Sequence, residues 1–161
     1  MATRLTAHFT LEELTASTTA KRLGIANTPT PEHVANLHEL AERILEPLRI
    51  AWGSPIFITS GYRGFNLNKS VKGSTTSAHC YGLAADMIPA NGEMAAFKAF
   101  VRDYMHKTNT SYDQYIDEAK PNGSEWVHVG IRNSQGKQRK QDLITTDGVK
   151  YRLLPKWTKK G

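Results

Sequence analysis

A carboxylate in the middle of an apolar run constrains this chain more than any other feature. Asp86 lies in Leu83-Ala84-Ala85-Asp86-Met87-Ile88, a compact segment that reads as a buried strand. A lone charge there costs several kcal/mol, so the fold must bring a cation to it. Arg63, in the turn Ser60-Gly61-Tyr62-Arg63-Gly64, is one source. A metal ion shared with His79, in Ser77-Ala78-His79-Cys80-Tyr81-Gly82, is the other. Asp86 by itself does not choose between them.

A second histidine follows in Glu125-Trp126-Val127-His128-Val129. His79, Asp86 and His128 together make a set of two imidazoles and one carboxylate. On zinc such a set leaves one coordination position open for the water that attacks a substrate. In a strand, Trp126 and His128 share one face while Val127, Val129 and Ile131 share the other. The valine face reads as core and the tryptophan-histidine face as a lined cavity, or else as a solvent face. His8, His33, His38 and His106 read as surface or helix-face residues, and no His-Glu-x-x-His motif is present.

Glu125 is the candidate general base, taking a proton from water and passing it to a leaving amine. A regular strand would turn Glu125 and His128 to opposite sides. Glu125 therefore reaches the metal only if the loop through Asn122-Gly123-Ser124 continues to Trp126. Glu118 is the substitute. The fork of Arg63 suits a carboxylate or a developing oxyanion. Tyr62, Ser77 and Gln114 offer hydrogen bonds, and Cys80 reads as a small buried neighbour.

The 161 residues suffice for one domain. Thr10 before Leu11-Glu12-Glu13 opens a short helix, and Gly24 ends the segment after it. Thr30-Pro31 begins the longest helix, with Val34, Leu37, Ala41, Ile44 and Leu48 on its buried face and Pro47 loosening its last turn. Strands are expected over 55–59, 83–88, 112–116 and 126–131, a short helix near 66–71, and an amphipathic helix through Met94, Phe97, Val101 and Tyr104. Asp147-Gly148 signals a two-residue hairpin between 143–146 and 149–153. The class is α+β, a small, mostly antiparallel sheet with helices on one side.

A formal charge of +6 favours an anionic partner, nucleic acid or a bacterial envelope surface. The clusters Lys137-Arg139-Lys140 and Lys156-Lys159-Lys160 each read more simply as solvated surface. No stretch matches a membrane span, the N-terminus lacks the apolar core of a secretory signal, and the single cysteine fits a reducing cytosol.

Ser60-Gly61-Tyr62-Arg63, the run from Ser77 to Asp86 and Glu125-Trp126-Val127-His128-Val129 jointly resemble the D-alanyl-D-alanine carboxypeptidases and VanY/VanX-type dipeptidases. They resemble still more the phage endolysins of the lysostaphin, D-Ala-D-Ala peptidase and hedgehog superfamily. The resemblance runs from about His8 to about Ile131, with a C-terminal hairpin and basic tail over 132–161. It implies one zinc peptidase domain with zinc on His79, Asp86 and His128, and Glu125 as catalytic acid. Arg63 and Ser77 would contact substrate, with Tyr62, Gln114 and Trp126 beside them. The implied substrate is the stem peptide of bacterial peptidoglycan; the missing export signal fits an endolysin that waits in the cytosol for a membrane pore, and a monomer is the default expectation. An L-alanyl-D-glutamate endopeptidase is favoured over a D-Ala-D-Ala carboxypeptidase or a non-catalytic, zinc-stapled wall-binding module. A nucleic-acid binder is the remaining reading, and no nucleic-acid-binding motif supports it.

Overall fold

Side-chain caps set the first three helices. In the computed structural model, which describes residues 2–159, the side chains of Thr10, Ser17 and Thr30 accept hydrogen bonds from the N–H groups of Glu13, Ala20 and His33. These caps open α1 (Leu11–Thr15), α2 (Thr18–Leu23) and α3 (Pro31–Leu40). Gly24 closes α2 in the left-handed conformation that glycine adopts without penalty. Lys160, of the C-terminal basic cluster, lies outside the described residues.

α3 runs through a π turn (Ala41–Leu45) into α4 (Glu46–Trp52). Pro47 has no N–H for the carbonyl four residues back. The backbone responds upstream, where the Glu46 N–H reaches the Ala41 carbonyl. The disturbance thus falls before the proline rather than in the last turn, and Leu48 stays fully buried.

The sheet comprises β1 (Ile56–Ser60), β2 (Ala84–Pro89), β3 (Gln114–Ala119), β4 (Glu125–Gly130), β5 (Gln141–Thr145) and β6 (Arg152–Leu153). Their order is β1-β2-β4-β3-β5-β6, antiparallel throughout except for the parallel pair β3 and β5. α5 (Phe65–Ser70) follows β1, and α6 (Met94–Lys107) joins β2 to β3. Ala85, Met87, Tyr115, Val127 and Val129 share one buried cluster with Leu37, Ile44 and Leu48 of the α3–α4 rod and Phe97, Val101 and Met105 of α6. Strand alternation then turns Asp86, Ile116, Glu118, Trp126 and His128 to the opposite face. The architecture is the expected α+β arrangement.

The C-terminal strands depart from the expected tight hairpin. Leu143 pairs with Leu153 and Ile144 with Arg152, so the connection spans 146–151 rather than two residues. Asp147 Oδ1 accepts from the Val149 and Lys150 N–H groups at 2.8 Å, and Thr145 Oγ1 accepts from the Gly148 N–H at 2.9 Å. These local acceptors capture N–H groups that a longer ladder would have used.

β5 is tied to α6 by Asp142, whose carboxylate accepts from Arg102 Nε at 2.7 Å, sits 2.7 Å from His106 Nε2 and also accepts from the Tyr112 hydroxyl. His106, on the face of α6 and a quarter exposed, is thus engaged in a side-chain network. So is His33, whose Nδ1 lies 3.1 Å from the Tyr62 hydroxyl. Removing one member of such a mostly buried ionic cluster leaves the others unpaired. Asp142→Ala is expected to cost about 3 kcal/mol of unfolding free energy in a urea titration. A loss under about 1 kcal/mol would mean that solvent replaces the carboxylate freely.

Candidate metal centre

Three elements deliver three side chains to one point on the open face of the sheet. Asp86 and His128 are direct cross-strand partners in β2 and β4. His79 comes from a 3-10 turn, Ala78–Tyr81, that leads into β2. His79 Nε2 lies 3.4 Å and His128 Nδ1 3.0 Å from the same oxygen, Asp86 Oδ1. Candidate ligand atoms of the three residues all fall within 4.8 Å of one another, and all three residues are buried.

The local backbone orients His79 for this role. Its Nδ1 sits 2.8 Å from the Gly61 carbonyl, which can only accept. Nδ1 therefore carries a proton, which leaves Nε2, on the side of Asp86, as the atom that can bind a metal. A Cβ at Gly61 would stand 2.3 Å from the Leu14 carbonyl oxygen, so only glycine lets the turn after β1 come this close to α1. Gly82 ends the 3-10 turn at φ +73°, and a Cβ there would meet the His33 carbonyl oxygen at 2.7 Å.

Burial alone would raise the Asp86 carboxyl, but the charge on His79 and the hydrogen bond from His128 hold it well below the usual carboxylate range. Burial would likewise lower His128, and Asp86 outweighs it, so His128 lies above its ordinary value. The donor set suits a borderline ion. Zinc bonded at about 2.0–2.1 Å in a tetrahedron has ligand atoms about 3.3 Å apart, close to the two spacings at Asp86. The ion pair from Arg63 is not formed. Its Nε donates to Asn68 Oδ1 at 3.0 Å and its Nη2 to Ser77 Oγ at 3.5 Å.

The two candidate acids part company. β4 is already paired at Glu125, opposite Ala119, so strand alternation holds and Glu125 faces away from His128. There it meets Lys98 Nζ at 2.6 Å, and Asp117 binds the same ammonium at 2.6 Å. The expected approach of Glu125 to the metal site is therefore not found. Glu118 pairs with Trp126 across the strands and lies on the triad's side, 8% exposed. Its Oε2 accepts from Trp126 Nε1 at 2.8 Å and its Oε1 from the Tyr151 hydroxyl at 3.1 Å.

These residues line a cleft of about 640 Å³. Arg63, Lys72 and Ser77 border it on one side, and Gln114, Trp126 and Leu143 belong to its other walls. Gln114 Nε2 also donates to Gln141 Oε1 at 3.3 Å. Tyr62 is not brought to the cleft; its ring is buried and its hydroxyl meets His33. Cys80 is fully buried. Sequence reasoning missed Tyr151 and Lys120. Lys120 Nζ stands 5.6 Å from the Trp126 ring centroid. Lys120 reaches the cleft from the β3–β4 turn, where its N–H donates to the Ser124 carbonyl, and Tyr151 from the loop after β5, the strand that pairs with distant β3; neither belongs to a local motif.

The family model described as Peptidase M15 matches residues 7–129. No curated protein matches the chain.

Proposed function

The chain belongs to the Peptidase M15 family, a metallopeptidase family, and from that premise we propose that it is a zinc-dependent peptidoglycan peptidase. The observation that carries this reading is the convergence of His79 Nε2 and His128 Nδ1 on Asp86 Oδ1 in an open cleft. His79, Asp86 and His128 hold the ion. Bound zinc supplies Lewis acidity for a carbonyl and lowers the pKa of water toward neutrality.

The remaining chemistry belongs to the chain. Glu118 takes Glu125's place as general base: it receives the proton of the attacking water and returns it to the leaving amine. Trp126 Nε1 holds one of its oxygens, which fixes the carboxylate plane. Arg63 lines the cleft with its guanidinium anchored on Asn68, and so presents a fixed cation to a substrate carboxylate or a developing oxyanion. Ser77 steadies that guanidinium and the His79 backbone N–H. Gln114 and the face of Trp126 contact the peptide.

The favoured target is the L-alanyl-D-glutamate bond, because a lytic enzyme has to cut the mesh rather than trim its ends. The protein acts as a monomeric phage or prophage endolysin, made in the cytosol and released to the wall through a membrane pore. No helix among the described residues is long and apolar enough to cross a membrane. Digestion of purified peptidoglycan, read by mass spectrometry, tests the assignment. Fragments with a new N-terminal glutamate are expected from the zinc-loaded protein and not from the metal-stripped one. Loss of terminal alanine alone would make it a carboxypeptidase, and no new amino groups at all would leave a wall-binding module.

A further inference from the structure

The family match ends at residue 129, yet the cleft does not. Asn133, Arg139, Leu143, Gly148 and Tyr151 lie beyond it and line the same cavity. β5 runs parallel to β3, the strand that carries Glu118, and pairs Thr145 with Glu118. The 146–151 loop that follows is ordered by the acceptors of Thr145 and Asp147. After the loop, the Leu154 N–H donates to the Asp142 carbonyl at 2.8 Å. Trp157 stacks on His106 at 4.9 Å between ring centroids, and its Nε1 donates to Asp103 at 2.7 Å. The loop is thereby clamped at both ends, and its Tyr151 hydroxyl donates to Glu118 Oε1 at 3.1 Å.

We propose that Tyr151, supplied by the segment after the family match, is a positioning residue for Glu118, and that this C-terminal segment completes the catalytic cleft. The inference rests on the reading of Glu118 as the base. Trp126 and Tyr151 each engage a different carboxylate oxygen, so the pair fixes both the rotation and the tilt of the group. With either donor alone the carboxylate could swing about the remaining hydrogen bond. A base misplaced by a fraction of an ångström transfers its proton poorly. Burial, with Glu118 nearby, pushes the Tyr151 hydroxyl up to about 12, so it remains a donor across the neutral range. The ring is half exposed, and Tyr151→Phe removes the donor while keeping its shape.

The test is a double-mutant cycle on a defined stem-peptide substrate, using full-length, zinc-loaded protein. Tyr151→Phe is expected to lower kcat roughly tenfold, with KM, zinc stoichiometry and thermal midpoint essentially unchanged. In the Glu118→Gln background the same substitution should change kcat no further, because Tyr151 acts only through the missing carboxylate. Equal fold-losses in both backgrounds, or an unchanged kcat in Tyr151→Phe, overturns the proposal. If Glu118→Gln itself keeps full turnover, the reading of Glu118 as base fails instead, so the two failures are distinguishable.

Discussion

Glu118→Gln is expected to lower turnover on peptidoglycan by about a thousandfold while zinc stays bound at one ion per chain. A positioned general base contributes on the order of 10²–10⁴ in rate, and an amide cannot accept the proton. Glutamine preserves the shape of the side chain and can still accept from Trp126 Nε1 through its carbonyl oxygen. The three candidate metal ligands are other residues, so metal content separates lost chemistry from a lost site. The contrasting variant is Glu125→Gln. Its side chain is 49% exposed and shares Lys98 with Asp117, which holds the ammonium at 2.6 Å without help. With Glu125 half exposed and Lys98 still paired to Asp117, the substitution should cost about 1 kcal/mol or less of stability, and turnover should stay within about twofold of the parent. Steady-state kinetics and zinc analysis on both variants decide the matter. A collapse of activity in Glu125→Gln with Glu118→Gln intact would return the role to Glu125.

The difference between these two acids shows how far sequence reaches here. Helix starts at Thr10, Ser17 and Thr30 are written locally, because the capping side chain and its N–H partner are three residues apart. The burial of Asp86 is legible because its run is apolar on both faces, Ala84 and Ile88 on its own side and Ala85 and Met87 on the other, the pattern of a strand covered on both sides. Its cation is not legible from the strand alone, and the spacing of His79 and His128 supplies only candidates. Glu125 carries its own warning in the odd offset from His128, and alternation prevails because the strand already begins at Glu125. That Glu118 faces the metal site follows from its register opposite Trp126, a non-local fact. The same holds for Tyr151. The Asp147-Gly148 signal marks a turn correctly but not its length, since Asp147 and Thr145 satisfy the loop's N–H groups and end the ladder early.

His79→Ala is expected to abolish zinc binding and, with it, all measurable wall hydrolysis. Two donors remain, Asp86 and His128, and they already satisfy each other at 3.0 Å. The substitution also strands the Gly61 carbonyl, which costs about 1–3 kcal/mol if no water replaces the ring. The core cluster of Leu37, Ile44, Phe97 and Val129 lies on the far face of the sheet, so the fold should persist and circular dichroism should stay near that of the parent. The pH dependence of the parent protein gives a separate check on the site. In the metal-free chain His128 lies above its usual 6.5. The protonated pair with Asp86 therefore adds stability that is full below the unfolded value and fades as pH rises through the folded one. Asp86 lies below its usual 3.8. Its contribution is present above that value and disappears as pH falls through the folded one. Zinc needs the unprotonated ring, so its contribution grows over the window in which the His128 proton leaves. The gap between the melting temperatures of the zinc-loaded and stripped protein should widen as pH rises through the raised value at which His128 loses its proton. A constant or narrowing gap would mean that the proton on His128 and the metal do not compete for one site.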